Sequence, residues 1–282
     1  MAREVLTVLG VGGMGHAIAR RLGSGKTVLL ADNNEAALAA VAEALSADGH
    51  QVASRGVDVS SPESVRDLAR HAASLGAVTQ VAHTAGLSPA QASAEAILAV
   101  DLLGTALVLE EFGEVIEPGG AGVMIASMAG HMFPPLTAEQ ERALAHTPSS
   151  ELLELEFVSP NKVSEPGIAY GIAKQANHVR VRAASAQWGR RGARVNSISP
   201  GIISTPMGQQ ELASPVGDGM RAMIAMSATG RLGTPDDIAS ATAFLLGPEA
   251  SFITGTDLLV DGGVIAAIKA GSPPSWGRHQ TR

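Results

Sequence analysis

The segment Gly10-Val11-Gly12-Gly13-Met14-Gly15 constrains the fold of this chain more than any other. It follows a short apolar run at 5–9 and opens a helically spaced run at 14–22. A G-x-G-x-x-G loop between a buried strand and a helix predicts a dinucleotide-binding βαβ unit. Gly10 permits the tight turn, Gly12 lets the backbone approach a pyrophosphate, and Gly15 lets the helix pack close to the sheet. Gly13 and Met14 complete the loop at the helix N-terminus, where free N–H groups meet the anion.

The next constraint is Asp32, at the end of a second apolar run at 28–31. A carboxylate there accepts hydrogen bonds from both ribose hydroxyls of NAD and repels the 2′-phosphate of NADP. Its neighbours Asn33 and Asn34 bring no positive charge to reverse that preference. NAD is therefore the expected cofactor, with Asn33 beside Asp32 at the ribose. A plain helix N-cap is the competing reading of Asp32.

The rhythm continues. Strands are predicted at 52–57, 78–82, 122–126, 193–198 and 258–260, and helices at 35–45, from residue 61, and at 92–115, 168–188 and 235–246. Strands alternating with helices predict an α/β fold, a doubly wound parallel sheet with helices on both faces. A chain of 282 residues suffices for one large domain, read here as 1–271. Two stretches break the rhythm: 131–167 reads as an insertion, and 272–282 as a Pro-containing frayed tail.

Composition narrows the function. A net charge of −7 argues against a nucleic-acid partner, and the cluster Arg190, Arg191 and Arg194 reads as a solvated turn. The absence of cysteine removes disulfides and thiolate chemistry. No run is long enough to span a bilayer and no signal-peptide pattern is present, so a soluble cytoplasmic protein without a membrane partner is expected. Gly23-Ser24-Gly25-Lys26-Thr27 mimics the end of a phosphate-binding P-loop, but Arg20 stands where that motif needs glycine, and a strand follows. It reads as a turn. Eight histidines form no metal-binding motif. His83, His131 and His178 fall on different elements, and no metal ligand is expected among them.

Tyr170-Gly-Ile-Ala-Lys174 places a phenol and an ammonium at i and i+4, on one face of a helix. Lys174 favours the phenolate, which would let Tyr170, the single tyrosine, act as acid or base near neutral pH.

Taken together, these motifs resemble the short-chain dehydrogenase/reductase family over nearly the whole length. Ser127-Met-Ala-Gly130 resembles the family's catalytic-serine segment, and Tyr170 with Lys174 matches its Tyr-x-x-x-Lys. Asp58-Val59 resembles the adenine-contacting pair, and Thr84-Ala85-Gly86 the end of the motif after the fourth strand. Pro200-Gly201-Ile202-Ile203-Ser204-Thr205 resembles the segment contacting the nicotinamide carboxamide, and Leu259-Val260-Asp261-Gly262-Gly263 the C-terminal strand and turn. The resemblance implies a Rossmann-like domain that interconverts a secondary alcohol and a ketone. Ser127 would stabilise charge on the substrate oxygen, Tyr170 would exchange its proton, and Lys174 would bind the nicotinamide ribose. It also implies a homotetramer or homodimer, with the helices around 102–114 and 168–188 at an interface.

Departures are equally visible. The glycine loop is shorter than the family's usual one. His83 replaces an asparagine and reads as a satisfied core group. Asp101 replaces the asparagine that holds a water near the lysine, partly through its backbone; it is the fourth expected catalytic residue. Ser127 and Tyr170 lie 43 positions apart, more than is usual. The intervening 131–167, mixed apolar and acidic, is expected beside the active site as an amphipathic lid over a bulky hydrophobic, steroid-like substrate, or as a subunit contact. A non-catalytic NAD-binding sensor or scaffold and an epimerase or dehydratase are the other readings; the intact Ser127, Tyr170 and Lys174 weigh against the first.

Overall fold

The computed structural model describes residues 3–271. The 272–282 tail lies outside them. Seven strands form one parallel sheet: β1 (Glu4–Leu9), β2 (Thr27–Asp32), β3 (Gln51–Gly56), β4 (Ala77–His83), β5 (Ala121–Ile125), β6 (Arg194–Pro200) and β7 (Asp257–Val260). Their order is β3-β2-β1-β4-β5-β6-β7. The order reverses between β1 and β4, which opens a crevice beyond their C-terminal ends, the place where ligands bind in such sheets. The central strands are buried on both faces, as their continuous apolar runs predict.

Helices cover both faces. α1 (Gly13–Leu22), α2 (Glu35–Ala47) and α3 (Pro62–Leu75) belong to the first half. α3 starts where its sequence says it should: the Ser61 hydroxyl accepts from Ser64 N, Pro62 follows, and Glu63 sits in the first turn. The predicted helix at 92–115 is three pieces: α4 (Ala94–Ile97), a π-helical segment (Leu98–Gly104) and α5 (Thr105–Val115). α6 (Ala138–His146) precedes the long α7 (Pro166–Arg190), and α8 (Pro206–Leu212), α9 (Gly217–Met226), α10 (Pro235–Leu246) and α11 (Val264–Lys269) follow. Trp188 on α7 is fully buried and donates from Nε1 to Leu109 O at 3.0 Å. Its ring fills the space above Gly122, where a Cβ would come within 2.6 Å of it.

Two expectations need correction here. Arg194 is no solvated side chain. Its guanidinium donates to the carbonyls of Leu245 and Gly247, at 2.9 and 3.0 Å, at the negative end of α10. The insertion 131–167 is no lid either. It folds into α6 and a 3₁₀ segment (Ser149–Glu154), and buries Leu144, Leu152, Val158 and Val163 against Ile97, Leu98 and Leu102 and against Ala169, Ala173 and Ala176 of α7. Arg180 of α7 ties it down, donating to Leu144 O and Thr147 O at 3.1 and 2.7 Å and pairing with Glu110 at 2.8 Å. The reason is the shape of α7, whose Ala169, Ala173 and Ala176 offer a flat apolar strip that acidic, leucine-rich turns can cover. The insertion thus occupies part of the α5–α7 surface that the resemblance assigns to subunit contact.

Candidate active site

Two clefts meet at the C-terminal ends of the strands. The first, of about 330 Å³, is lined by Gly10, Gly12, Gly13, Met14, Asp32, Thr84, Ala85, Gly86 and Thr205, among others. Gly10 has φ +89°, and a Cβ there would stand 2.4 Å from Ala85 N. At Gly15 it would stand 1.9 Å from Gly10 O, so the loop closes against its own helix only with glycine. This is a backbone-lined cradle of the kind a dinucleotide needs, and the residues present fit such a cofactor. Asp32 sits at its edge; its carboxylate accepts from Val11 N at 2.7 Å and Asn34 N at 2.9 Å. The helix N-cap of α2 is Asn34, whose side chain accepts from Ala37 N. Asp32 is therefore no N-cap, and the plain capping reading fails.

Asn33, Asp58 and Val59 are not among the residues lining this cleft. The Asp58 carboxylate instead accepts from Ser60 N and Oγ at 2.9 and 2.6 Å, and Val59 is buried against Gly104.

The second cleft, of about 600 Å³, holds Ser127, Tyr170, Pro200, Gly201, Ile203 and Thr205. It is continuous with the first, since Met14, Thr205 and Met207 line both. Five methionines line it (Met14, Met128, Met207, Met220 and Met223), and among the described residues Glu211 is its one charged side chain. Glu211 accepts from the Ser88 hydroxyl. No residue of 131–167 lines this cleft. Sequence reading missed Glu211, Ser88 and the helices α8 and α9. Thr205-Pro206 was a readable start, because the Thr205 hydroxyl caps α8 by accepting from Gly208 N.

The expected catalytic residues converge. Ser127 follows β5, and it lines the second cleft together with Tyr170. Lys174 Nζ lies 5.4 Å from the centre of the Tyr170 ring and donates to Ile125 O at 3.3 Å. Asp101, inside the π-helical segment, pairs through Oδ2 with Lys174 at 3.1 Å and accepts on Oδ1 from Leu87 N at 2.8 Å. The wider π turn aims this carboxylate inward, a use such turns often have. The Asp101 carbonyl accepts from the Thr105 hydroxyl at 2.9 Å, and its side chain reaches the lysine directly. A Cβ at Gly86 would lie 3.3 Å from Asp101 Oδ2 and 3.4 Å from Lys174 Nζ, so Gly86 leaves the pair room.

The electrostatics differ from expectation in one respect. Burial alone would lower the Lys174 pKa, but Asp101 and Tyr170 together outweigh it and hold the ammonium above the ordinary lysine range. Burial raises Asp101 itself, against the pull of Lys174 and the Leu87 amide. Tyr170 is raised, not lowered. Burial is the largest cause, and the negative charges of Asp101 and Glu211 add to it, together outweighing the opposing pulls of Lys174 and Ser127. Lys174 cannot act alone because its charge is already matched by Asp101.

His83 is also not the satisfied core group expected. It is 1% exposed between Leu9 and Met124, and neither ring nitrogen has a hydrogen-bond partner. Burial, with a smaller push from Lys174, lowers its pKa to about 3, so the ring is neutral. Nor are the histidines as scattered as their sequence positions imply: His131 and His178 converge with Asp257.

Similarity to known proteins identifies the family. A short chain dehydrogenase model matches residues 4–138, and a model described as enoyl-(acyl carrier protein) reductase matches 135–265. The chain is 43% identical to short-chain dehydrogenase/reductase bsc3 of Alternaria brassicicola, over 94% of this chain and 97% of the relative. It is 30% identical to the D-threitol dehydrogenase of Mycolicibacterium smegmatis, over 89% of this chain and 88% of the relative. A short-chain type dehydrogenase/reductase structure from Mycobacterium ulcerans superposes with a TM-score of 0.73 at 23% identity, covering 94% of this chain and 90% of that one, and so shares the fold. The chain belongs to the short-chain dehydrogenase/reductase family of oxidoreductases, enzymes that use a nicotinamide cofactor.

Proposed function

We propose that this protein is an NAD-dependent oxidoreductase interconverting a bulky, neutral or cationic secondary alcohol and its ketone. The observation that carries the reading is that Ser127 and Tyr170 face one cleft, continuous with the glycine-lined cradle. When bound, the nicotinamide cofactor supplies or accepts the hydride. Gly10, Gly12, Gly13, Gly15, Ala85 and Gly86 hold its phosphates and nearby ribose, Asp32 its adenine ribose, and Lys174 its nicotinamide ribose. Pro200, Gly201, Ile203 and Thr205, which line the second cleft, would hold the nicotinamide end. Ser127 donates to the substrate oxygen and stabilises the charge that develops there. Tyr170, a neutral phenol in the cofactor-free protein, gives its proton to that oxygen in reduction and takes it back in oxidation. Asp101 is a positioning residue: it keeps Lys174 charged and in place.

The cleft supports the substrate class. Its adaptable methionine lining suits a large apolar body of steroid-like size, and among the described residues no lysine or arginine lines it to pair with an anion. Glu211 repels carboxylated or phosphorylated substrates and welcomes a hydroxyl or a cation.

The test is titration with NADH and NADPH, followed by turnover against neutral, cationic and anionic ketones. Tighter NADH binding that is relaxed by Asp32→Ala, and turnover confined to the neutral and cationic ketones, is expected. Equal binding of both cofactors by wild type and variant would overturn the NAD preference, and a preference for anionic ketones the substrate class.

A further inference from the structure

Two imidazoles and a carboxylate meet behind the Ser127 turn, and none of them lines either cleft. His131 ends the 3₁₀ turn Met128–His131 that Ser127 caps. His178 lies on α7, one turn beyond Lys174. Asp257 opens β7. His131 Nε2 is 2.8 Å from Asp257 Oδ2, and His178 Nε2 is 3.4 Å from Asp257 Oδ1. The two rings pack with centroids 4.8 Å apart, tilted by 43°. One ligand atom from each of the three residues lies within 4.8 Å of the others.

The carboxylate is held from behind. Ser197 and Ser199 donate to Asp257 Oδ1 at 2.6 and 3.0 Å, and the Ser199 hydroxyl accepts from His178 Nε2 at 2.9 Å, a hydrogen bond that an ion on that nitrogen would replace. Such outer hydrogen bonds fix the orientation of metal-ligating carboxylates. The site is neither sealed nor fully exposed: the side chains of His131, His178 and Asp257 are 25, 13 and 11% accessible, which leaves a path for an ion and a water.

The donor chemistry selects a metal class. Two imidazole nitrogens and one carboxylate oxygen suit Zn²⁺, Co²⁺ or Ni²⁺ better than Ca²⁺ or Mg²⁺, which take mainly oxygen. Tetrahedral bonds of about 2.0–2.2 Å put ligand atoms roughly 3.3–3.5 Å apart. The two nitrogen–oxygen distances, 2.8 and 3.4 Å, run to different oxygens of Asp257, and one ligand atom per residue lies within 4.8 Å of the others, so closing on one ion takes shifts of up to about 1.5 Å.

We propose that His131, His178 and Asp257 form a binding site for a divalent transition-metal ion, Zn²⁺ being the best match, with water as the fourth ligand. The ion would tie the turn carrying Ser127 to α7 and to the edge strand β7. It has no part in the hydride or proton transfer.

The test uses the untagged full chain, stripped with chelator and titrated with Co²⁺ as a spectroscopic probe. One equivalent is expected to give the visible d–d absorption of a four-coordinate site, and excess Zn²⁺ to abolish it. His131→Gln and His178→Gln should each remove the absorption, while His71→Gln on α3 keeps it. Ser197→Ala should weaken Co²⁺ binding by about tenfold. Circular dichroism confirms that each variant is folded. If a variant does not fold, X-ray absorption of the Zn²⁺-loaded wild type decides, with two imidazoles in the first coordination shell expected. No absorption at one equivalent, absorption unchanged in both histidine variants, or a coordination shell of oxygen alone would overturn the proposal and leave the trio as a hydrogen-bonded network.

Discussion

At the scale of single residues, the site turns on one substitution. Asp101 stands beside Lys174 where the family has an asparagine, and its charge raises Tyr170 while holding Lys174 protonated. Asp101→Asn removes the negative charge that raises Tyr170, so the Tyr170 pKa falls. Alcohol oxidation needs the deprotonated phenol and grows as pH rises through that pKa. The rising limb of kcat/KM for oxidation is therefore expected at lower pH in Asp101→Asn than in the wild type; an unmoved limb would mean Asp101 does not tune Tyr170. Asp101→Ala is harsher, because it leaves a buried ammonium unpaired at a cost of about 3–5 kcal/mol, readable as a lowered urea midpoint. His83 makes a second prediction. Its pKa is about 3 when folded, below the ordinary 6.5. The unfolded chain therefore binds that proton first, and stability falls as pH drops from about 6.5 toward about 3, by up to about 1.4 kcal/mol per pH unit. His83→Leu should flatten that slope in urea titrations; an unchanged slope would assign it to other groups.

At the scale of elements, the sequence is most legible where periodicity and loop chemistry agree. The seven strands and the ends of α10 could be read because the central runs are mostly apolar, the strands alternate with helices, and Thr234 and Pro235 mark a helix start. The π-helical segment could not, because its period differs from an α-helix by less than a residue per turn and Asp101 looks like any helical aspartate. The segment 131–167 was readable as an insertion but not as a brace. Its leucines and glutamates fit a lid as well as a cap, and only the alanine face of α7 decides between them. Likewise, sequence spacing hid the meeting of His131, His178 and Asp257, which the sheet brings together across 126 positions. The brace has a direct consequence. Leu144 and Leu152 are both fully buried, so Leu144→Ala or Leu152→Ala should cost about 2–5 kcal/mol of stability. KM for the ketone should stay near the wild-type value. A large rise in KM with stability unchanged would restore the lid.

At the scale of the whole molecule, strand order and glycine loop put a cofactor cradle at the switch point, and the segment after β6 closes a methionine-lined cleft against it. Among the described residues, no helix is long and apolar enough to cross a membrane. The family membership rests on the whole chain, and the proposed chemistry on one proton donor. The most direct test follows consumption of NADH against a panel of bulky neutral ketones, for the wild type and for Tyr170→Phe. The account predicts turnover by the wild type, a loss of about 10²–10⁴-fold or more in Tyr170→Phe, and NADH binding kept by both. Full activity in Tyr170→Phe, or a wild type that binds NADH and reduces none of the ketones, would contradict it.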